Sequence, residues 1–306
     1  KFRMSIYRIA EAMTVFAVAT AGLFPIMHLG RPWNFYWLLP YPNQRGLWVN
    51  FDSPLLWDVF AVSTYATISS VFFFIGMIPD IAAIRDSVVG KTKKVLYSVL
   101  SLGWKGSNWE WSHYTRAYFY FACFATPLVI SVHSVVSWDF AMANTPVGHT
   151  TIFPPYFVAG AIFSGLAMVI TLCIPLRLIF KLEDYITMEN FEGMSKMIIL
   201  TSCIVFYAYL IEFFIAWYSG NKYEYDQFLY RANGDYAFFY WTMMFCNGIV
   251  PHALWFKKIR NNLVILFIIS LLINVGMWFE RFNIIVISLS KEFEPGSWGL
   301  YRPSWV

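Results

Sequence analysis

Long apolar runs alternate with short polar connections along most of this chain. At a helical rise of about 1.5 Å per residue, crossing a bilayer takes about 20 mainly apolar residues. Seven runs reach that length: 9–29, 54–79, 113–138, 153–178, 194–218, 235–256 and 262–289. No connection is long enough for a soluble domain, so the pattern predicts an all-α polytopic membrane protein, a single transmembrane domain over 1–306. The longest connection, 80–112, mixes basic and apolar residues as a helix lying on the membrane surface does. Residue 1 is Lys and the last residues, YRPSWV, read as a loop cut short, so further spans are expected at both ends.

Composition sharpens this picture. The chain is 58% hydrophobic and 13% charged, against about 25% charge in a soluble domain. Its formal charge of +4 is unevenly placed. Fourteen Lys and Arg fall in the N-terminus, 80–112, 177–196 and 257–260, and six in the opposite connections. The basic set therefore marks the cytoplasmic side, with the N-terminal end of the chain on it. The charge reports orientation, not nucleic-acid binding. Cys123, Cys173, Cys203 and Cys246 each stand alone in an apolar run, which gives neither a cluster motif nor a disulfide framework. The outward loops are rich in Trp, Tyr, Pro and Gly, which suits an interfacial aromatic belt and the docking of a large partner alike.

An ionisable group inside a span costs at least about 2.5–3.5 kcal/mol, so each one asks for a reason. His28 ends the first span on the outer side, and Asp58 lies about one turn into the second from that side. Asp139 ends the third span, with His133 about 9 Å deeper. Arg281 lies about 27 Å along the seventh span, again in its outer third. Four spans thus place an imidazole, two acids and a guanidinium at similar depth. Ordinary interfacial charges are the plainer explanation for any one of them. Taken together they suit a site that takes protons from hydroxyls: a neutral imidazole or a carboxylate accepts the proton, and Arg281 keeps an acid ionised. Glu11, His133, Glu212 and Glu280 are candidates for a proton path, and equally for protonated helix contacts. Asn247 and Asn274 read as interhelical hydrogen bonds.

Oxidation of a lipid-soluble quinol needs a greasy slot, an acceptor for each hydroxyl proton and an electron acceptor nearby. The chain offers His28, Asp58 and Asp139 as acceptors, with Arg281 beside them as quinol-binding residues. It shows no metal site and no motif for an iron–sulfur cluster or haem, so the electrons are expected to leave through another polypeptide.

The runs HLGRPWNFYW, PYPN, NFDSPLLWD, SVHSVVSWDFA, HTTIFPPYFVAGAIFSG and MWFERF resemble the membrane subunit of bacterial alternative complex III, of the wider NrfD or polysulfide reductase C group. Of that complex's two related membrane subunits, the quinol-binding one matches at His28, Asp58, Asp139 and Arg281. The resemblance implies a pair of four-helix bundles in the bacterial inner membrane, with a menaquinol or ubiquinol site near the periplasmic face. It also implies a periplasmic iron–sulfur subunit, multihaem cytochromes c, a second NrfD-like membrane subunit, and onward transfer to cytochrome c or a terminal oxidase. The family core has eight spans against the seven counted here.

Two rival readings use the same residues. A membrane cytochrome b would hold haem between His pairs, and only His28 and His133 lie at comparable depth. A proton-coupled transporter would place its acids near the midplane between short broken helices, whereas here the polar groups gather toward one face.

Overall fold

The computed structural model describes residues 3–28, 33–34, 36, 39–40, 51–143, 149–291 and 293–302. Most of the aromatic loop 30–53, and the stretch 144–148, lie outside the described residues. The described residues are helical with short turns: α1 (Arg3–His28), α2 (Pro54–Ser87), α3 (Lys91–Leu100), α4 (Asn108–Ala141), α5 (Phe153–Ile179), α6 (Met188–Tyr218), α7 (Lys222–Asn233), α8 (Ala237–Met243), α9 (Lys257–Arg260), α10 (Leu263–Phe282) and α11 (Ser288–Ser290). Among the described residues six helices are long and apolar enough to cross a membrane, as a polytopic membrane protein requires.

The expected span at 235–256 takes another form. α8 is followed by a π-helical turn, Met244–Ile249, and a 3-10 turn, Val250–Trp255. The chemistry of Asn247, Gly248 and Pro251 explains the break, since a proline has no N–H to give the helix ladder. α10 likewise passes into a π turn, Asn283–Ile287, before α11. The connection 219–234, between α6 and α8, holds α7. Its N-cap is Asn221, whose side chain accepts from the Tyr223 N–H at 3.0 Å.

The helix starts follow local sequence. Pro54 stands at the first position of α2, where its missing N–H costs nothing. The Trp57 indole donates to the Phe51 carbonyl at 2.6 Å, closing the entry. α4 begins with a reciprocal cap: the Ser107 N–H donates to Glu110 at 2.8 Å, and the Glu110 N–H donates to the Ser107 hydroxyl at 3.3 Å. Asn262 caps α10 by accepting from the N–H groups of Val264 and Ile265.

The chain divides into two compact units, Tyr7–Val132, and Lys1–Ile6 with His133–Val306. In the first, Arg8 and Glu11 of α1 meet α2 and α4. Arg8 pairs with Asp80 at 2.9 Å, and Tyr118 donates to Glu11. Gly76 admits this approach, because a methyl there would lie 2.5 Å from the Arg8 guanidinium and 3.0 Å from Glu11.

In the second unit α5, α6 and α10 carry the core. Phe163, Ala167, Ile170 and Ile174 line one face of α5, and Leu266, Ile269, Ile273 and Met277 one face of α10. Their three- and four-residue spacing is that of a helix buried along one stripe. Thr171 donates to Ser270 at 2.9 Å and accepts from Asn274 at 3.1 Å, so Asn274 is the interhelical bond its sequence suggested.

Candidate functional site

The buried stripe of α10 continues from Ile273 through Met277 to Glu280, which is 1% exposed. The stripe of α6 runs Ile198, Ser202, Val205, Tyr209 and on to Glu212. Helical periodicity therefore carries two carboxylates into the packed interior. Tyr209 donates to Glu280 and accepts from the Asn247 amide at 2.9 Å. Asn247 reaches Tyr209 from the π turn after α8. Gly276 makes room for it: a methyl there would lie 2.6 Å from the Cys246 Cβ and 2.9 Å from the Asn247 Cγ.

Glu212 has its own cation. Arg231 of α7 lies 3.3 Å away, with side chains 4% and 11% exposed. The Arg231 guanidinium also donates to Ser288 at 2.9 Å and stacks over Phe228 at 5.1 Å. Arg231 is one of the six basic residues counted in the outward connections; α7 turns it inward, where a buried acid compensates it. A small cavity of about 20 Å³, room for a water, is lined by Tyr209, Glu212, Arg231, Glu280 and Asn283. Glu280 Oε1, Asn283 Oδ1 and Arg231 Nε have no hydrogen-bond partner among the described residues. A larger cavity of about 220 Å³ also reaches Glu212, and is lined at its polar end by His149, Ser219 and Glu224. There His149 lies 3.4 Å from Glu224.

Arg281 is the next residue on α10. Its guanidinium lies 4.0 Å from the centroid of Phe157 and 3.6 Å from Glu280. Phe157 in turn packs against Phe140 at 5.5 Å, the residue after Asp139. One aromatic pair thus links the end of α4 to the Arg281 face of α10.

The model of the family described as polysulphide reductase, NrfD, matches residues 3–290. The chain belongs to the NrfD family. Members are membrane subunits of oxidoreductase complexes. A relative from Halobacterium salinarum, provisionally named as a membrane subunit of a dimethyl sulfoxide reductase, is 24% identical over 179 residues. That alignment covers 55% of this chain and 34% of the relative, so the chain matches about a third of the relative's length.

The family assignment sets the frame for the residues singled out in the sequence. His28 is the last residue of α1, and its side chain lies outside the described residues. Asp58 stands in the second turn of α2, half-buried. Both belong to the first unit. Asp139, His133 and Arg281 belong to the second, where Asp139 and His133 are half-buried on α4. Of the proton-path candidates, Glu212 and Glu280 line one cavity. Glu11 lies in the other unit, on Tyr118 and Arg8. Sequence reasoning missed Tyr209, Arg231 and Asn283 as members of the buried cluster. Periodicity could have found Tyr209, which shares the stripe of Glu212. Among the described residues no group of three or more His, Cys, Asp or Glu is placed to hold a metal ion.

Proposed function

We propose that this NrfD-family chain is the quinol-oxidising membrane subunit of a respiratory complex. The observation that carries the reading is the family match over residues 3–290, joined to acid–base groups at the ends of otherwise apolar spans. A quinol gives up two protons and two electrons as it becomes a quinone. His28 and Asp58 take the protons at the facing ends of two consecutive spans, and Asp139 is the further acid. Arg281, one-third exposed and resting on Phe157, offers a flat cationic surface for the quinol oxygens. The electrons pass to an iron–sulfur partner on the periplasmic side and on to multihaem cytochrome c or an oxidase. The substrate is menaquinol or ubiquinol, and the membrane is the bacterial inner membrane, with the N-terminal end of this chain cytoplasmic.

The buried Glu212–Glu280 cluster serves as a proton path in the second unit. The two cavities that share Glu212 support this, since water-sized spaces beside unpartnered polar atoms are where internal water binds.

A second reading draws on the name of the halobacterial relative. The same quinol chemistry would then feed a reductase acting on dimethyl sulfoxide, not a cytochrome.

The test is Asp58→Asn in the assembled complex, with quinol oxidation followed directly. The substitution keeps the shape and removes the proton acceptor, so turnover should fall by about 10²- to 10⁴-fold with assembly retained. Wild-type turnover in a fully assembled variant overturns the role of Asp58. Reduction of cytochrome c, compared with loss of dimethyl sulfoxide, separates the two acceptors.

A further inference from the structure

The connection after α2 contains a feature that quinol chemistry does not use. α3 is ten residues long, KTKKVLYSVL, and none of its residues is buried. Val95, Leu96 and Val99 are 57%, 55% and 67% exposed, and their spacing puts them on one side of the helix. Lys94 and Ser98 fall on the opposite side, with Lys91 and Lys93 on the flanks. Tyr97, half-buried, is the residue most covered by the rest of the chain. Such a short helix would be marginal in water, yet it displays apolar side chains instead of covering them.

The turn that follows continues the pattern. Leu102 has φ 51° and is 70% exposed. The left-handed region is costly for a leucine, and an aqueous surface gives no return for holding a bare leucine there. The turn is clamped from below: the Arg85 guanidinium donates to the Trp104 carbonyl at 2.8 Å and to the Ser101 hydroxyl at 3.3 Å. Trp109, 69% exposed, follows at the start of α4.

Charge identifies what covers this face. From 81 to 107 the chain carries Arg85, Lys91, Lys93, Lys94 and Lys105 against the single acid Asp86. Asp86 is already paired with Arg85 at 2.8 Å. Lys91, Lys93 and Lys94 make no ion pair within 4 Å among the described residues, and Lys94 adds only a longer-range attraction to Asp86. An apolar stripe edged by unpaired lysines, beside exposed tryptophan, matches a leaflet with acidic headgroups above and acyl chains below.

We propose that α3 and the turn through Leu102 form an in-plane anchor that binds the headgroups of acidic phospholipids. The lysines take the phosphates, and Val95, Leu96, Val99 and Leu102 enter the acyl boundary. The anchor fixes the cytoplasmic end of α2, from which Asp80 holds Arg8.

The test is amide hydrogen exchange over 91–102. It is measured on the full chain in its complex, in bilayers of phosphatidylcholine alone and of phosphatidylcholine mixed with phosphatidylglycerol. The acidic lipid should slow exchange on the order of a hundredfold, about fivefold for each of three lysines. High salt, or the triple variant Lys91→Gln, Lys93→Gln, Lys94→Gln, should remove that protection. These side chains are exposed, so the variant should assemble normally. Equal protection in both bilayers overturns the headgroup assignment. Equal protection in a complex solubilised in an uncharged detergent also overturns it, because acidic headgroups then add nothing to the cover of this face.

Discussion

Replacing Arg231 by methionine is the sharpest test of the buried cluster. The substitution keeps the aliphatic stem and removes the charge, leaving the Glu212 carboxylate interior with its cation gone. Stranding one member of such a pair costs about 3–5 kcal/mol. Glu212→Gln alone strands the guanidinium at a similar cost. With both changes no charge is stranded. What remains lost is the bond from Arg231 to Ser288, about 1.5–3 kcal/mol for a charged donor, and the contact with Phe228, about 0.5–1 kcal/mol. The double variant should therefore be no worse than either single one, and well short of their sum. At about 2–4 °C per kcal/mol, each single change lowers the melting temperature on the order of 10 °C. Cys173 and Cys246 supply the readout, being 0% and 2% exposed. A thiol-reactive fluorophore labels them only on unfolding. The exposed Cys123 and Cys203 are first changed to serine. If the two single effects simply add in the double variant, Glu212 and Arg231 are not a coupled pair, and the account of α7 turning inward to neutralise α6 fails.

Other expectations follow from the same contacts. Gly276→Ala forces a methyl against Asn247 and Cys246 and should cost about 1–3 kcal/mol, read in the same thiol assay; an unchanged melting point would mean the close approach of α10 to the π turn is not tight. Glu110→Ala removes the carboxylate half of the α4 cap, leaving the 110 N–H on the Ser107 hydroxyl, and should cost about 0.5–1.5 kcal/mol, with faster amide exchange confined to 107–111. Gly76→Ala should unseat Arg8 from Asp80, and Asp80→Asn in that background should then add little, which a double-mutant cycle measures. A visible spectrum of the isolated chain should show no Soret band; an intense band would favour the cytochrome b reading.

How much of this was legible in the sequence depends on which physical rule was carrying the information. Bilayer thickness fixes span length, so the six long helices could be placed from hydropathy to within a few residues at most ends. A short helix in this connection could be expected too, from the basic and apolar mixture of 80–112, and α3 occupies Lys91–Leu100 of it. Glu280 and Glu212 could be seen as intramembrane acids, and the stripes 266–280 and 198–212 say that they face inward. Their partners could not be read, because the order of helices around a bundle leaves no trace in local periodicity. Arg231 was the plainest loss. The run SGNKYEYDQFLYRANGD has the Gly, Asn and Asp of a loop, and its overall polarity hides an amphipathic helix whose inward face is Gln227, Phe228 and Arg231.

The two π turns make a related point about where regular rules give way. A π turn holds one more residue than an α turn, and so rotates everything after it by about 100° relative to an unbroken α-helix. That irregularity falls at Asn247 and again at Asn283, the two asparagines whose side chains end in the buried cluster. Asn247 sits inside its π turn and gives its amide to Tyr209; Asn283 opens the other and lines the small cavity. In a bilayer a polar side chain cannot leave its partner and find water, so the backbone bends to the hydrogen bond. The helix breaks at 244–249 and 283–287 thus coincide with the polar cluster, and the missing N–H of Pro251 adds to the first of them. Composition alone, which sees only an apolar run with an asparagine in it, predicts a straight span at the places where the chain that meets the buried cluster is crooked.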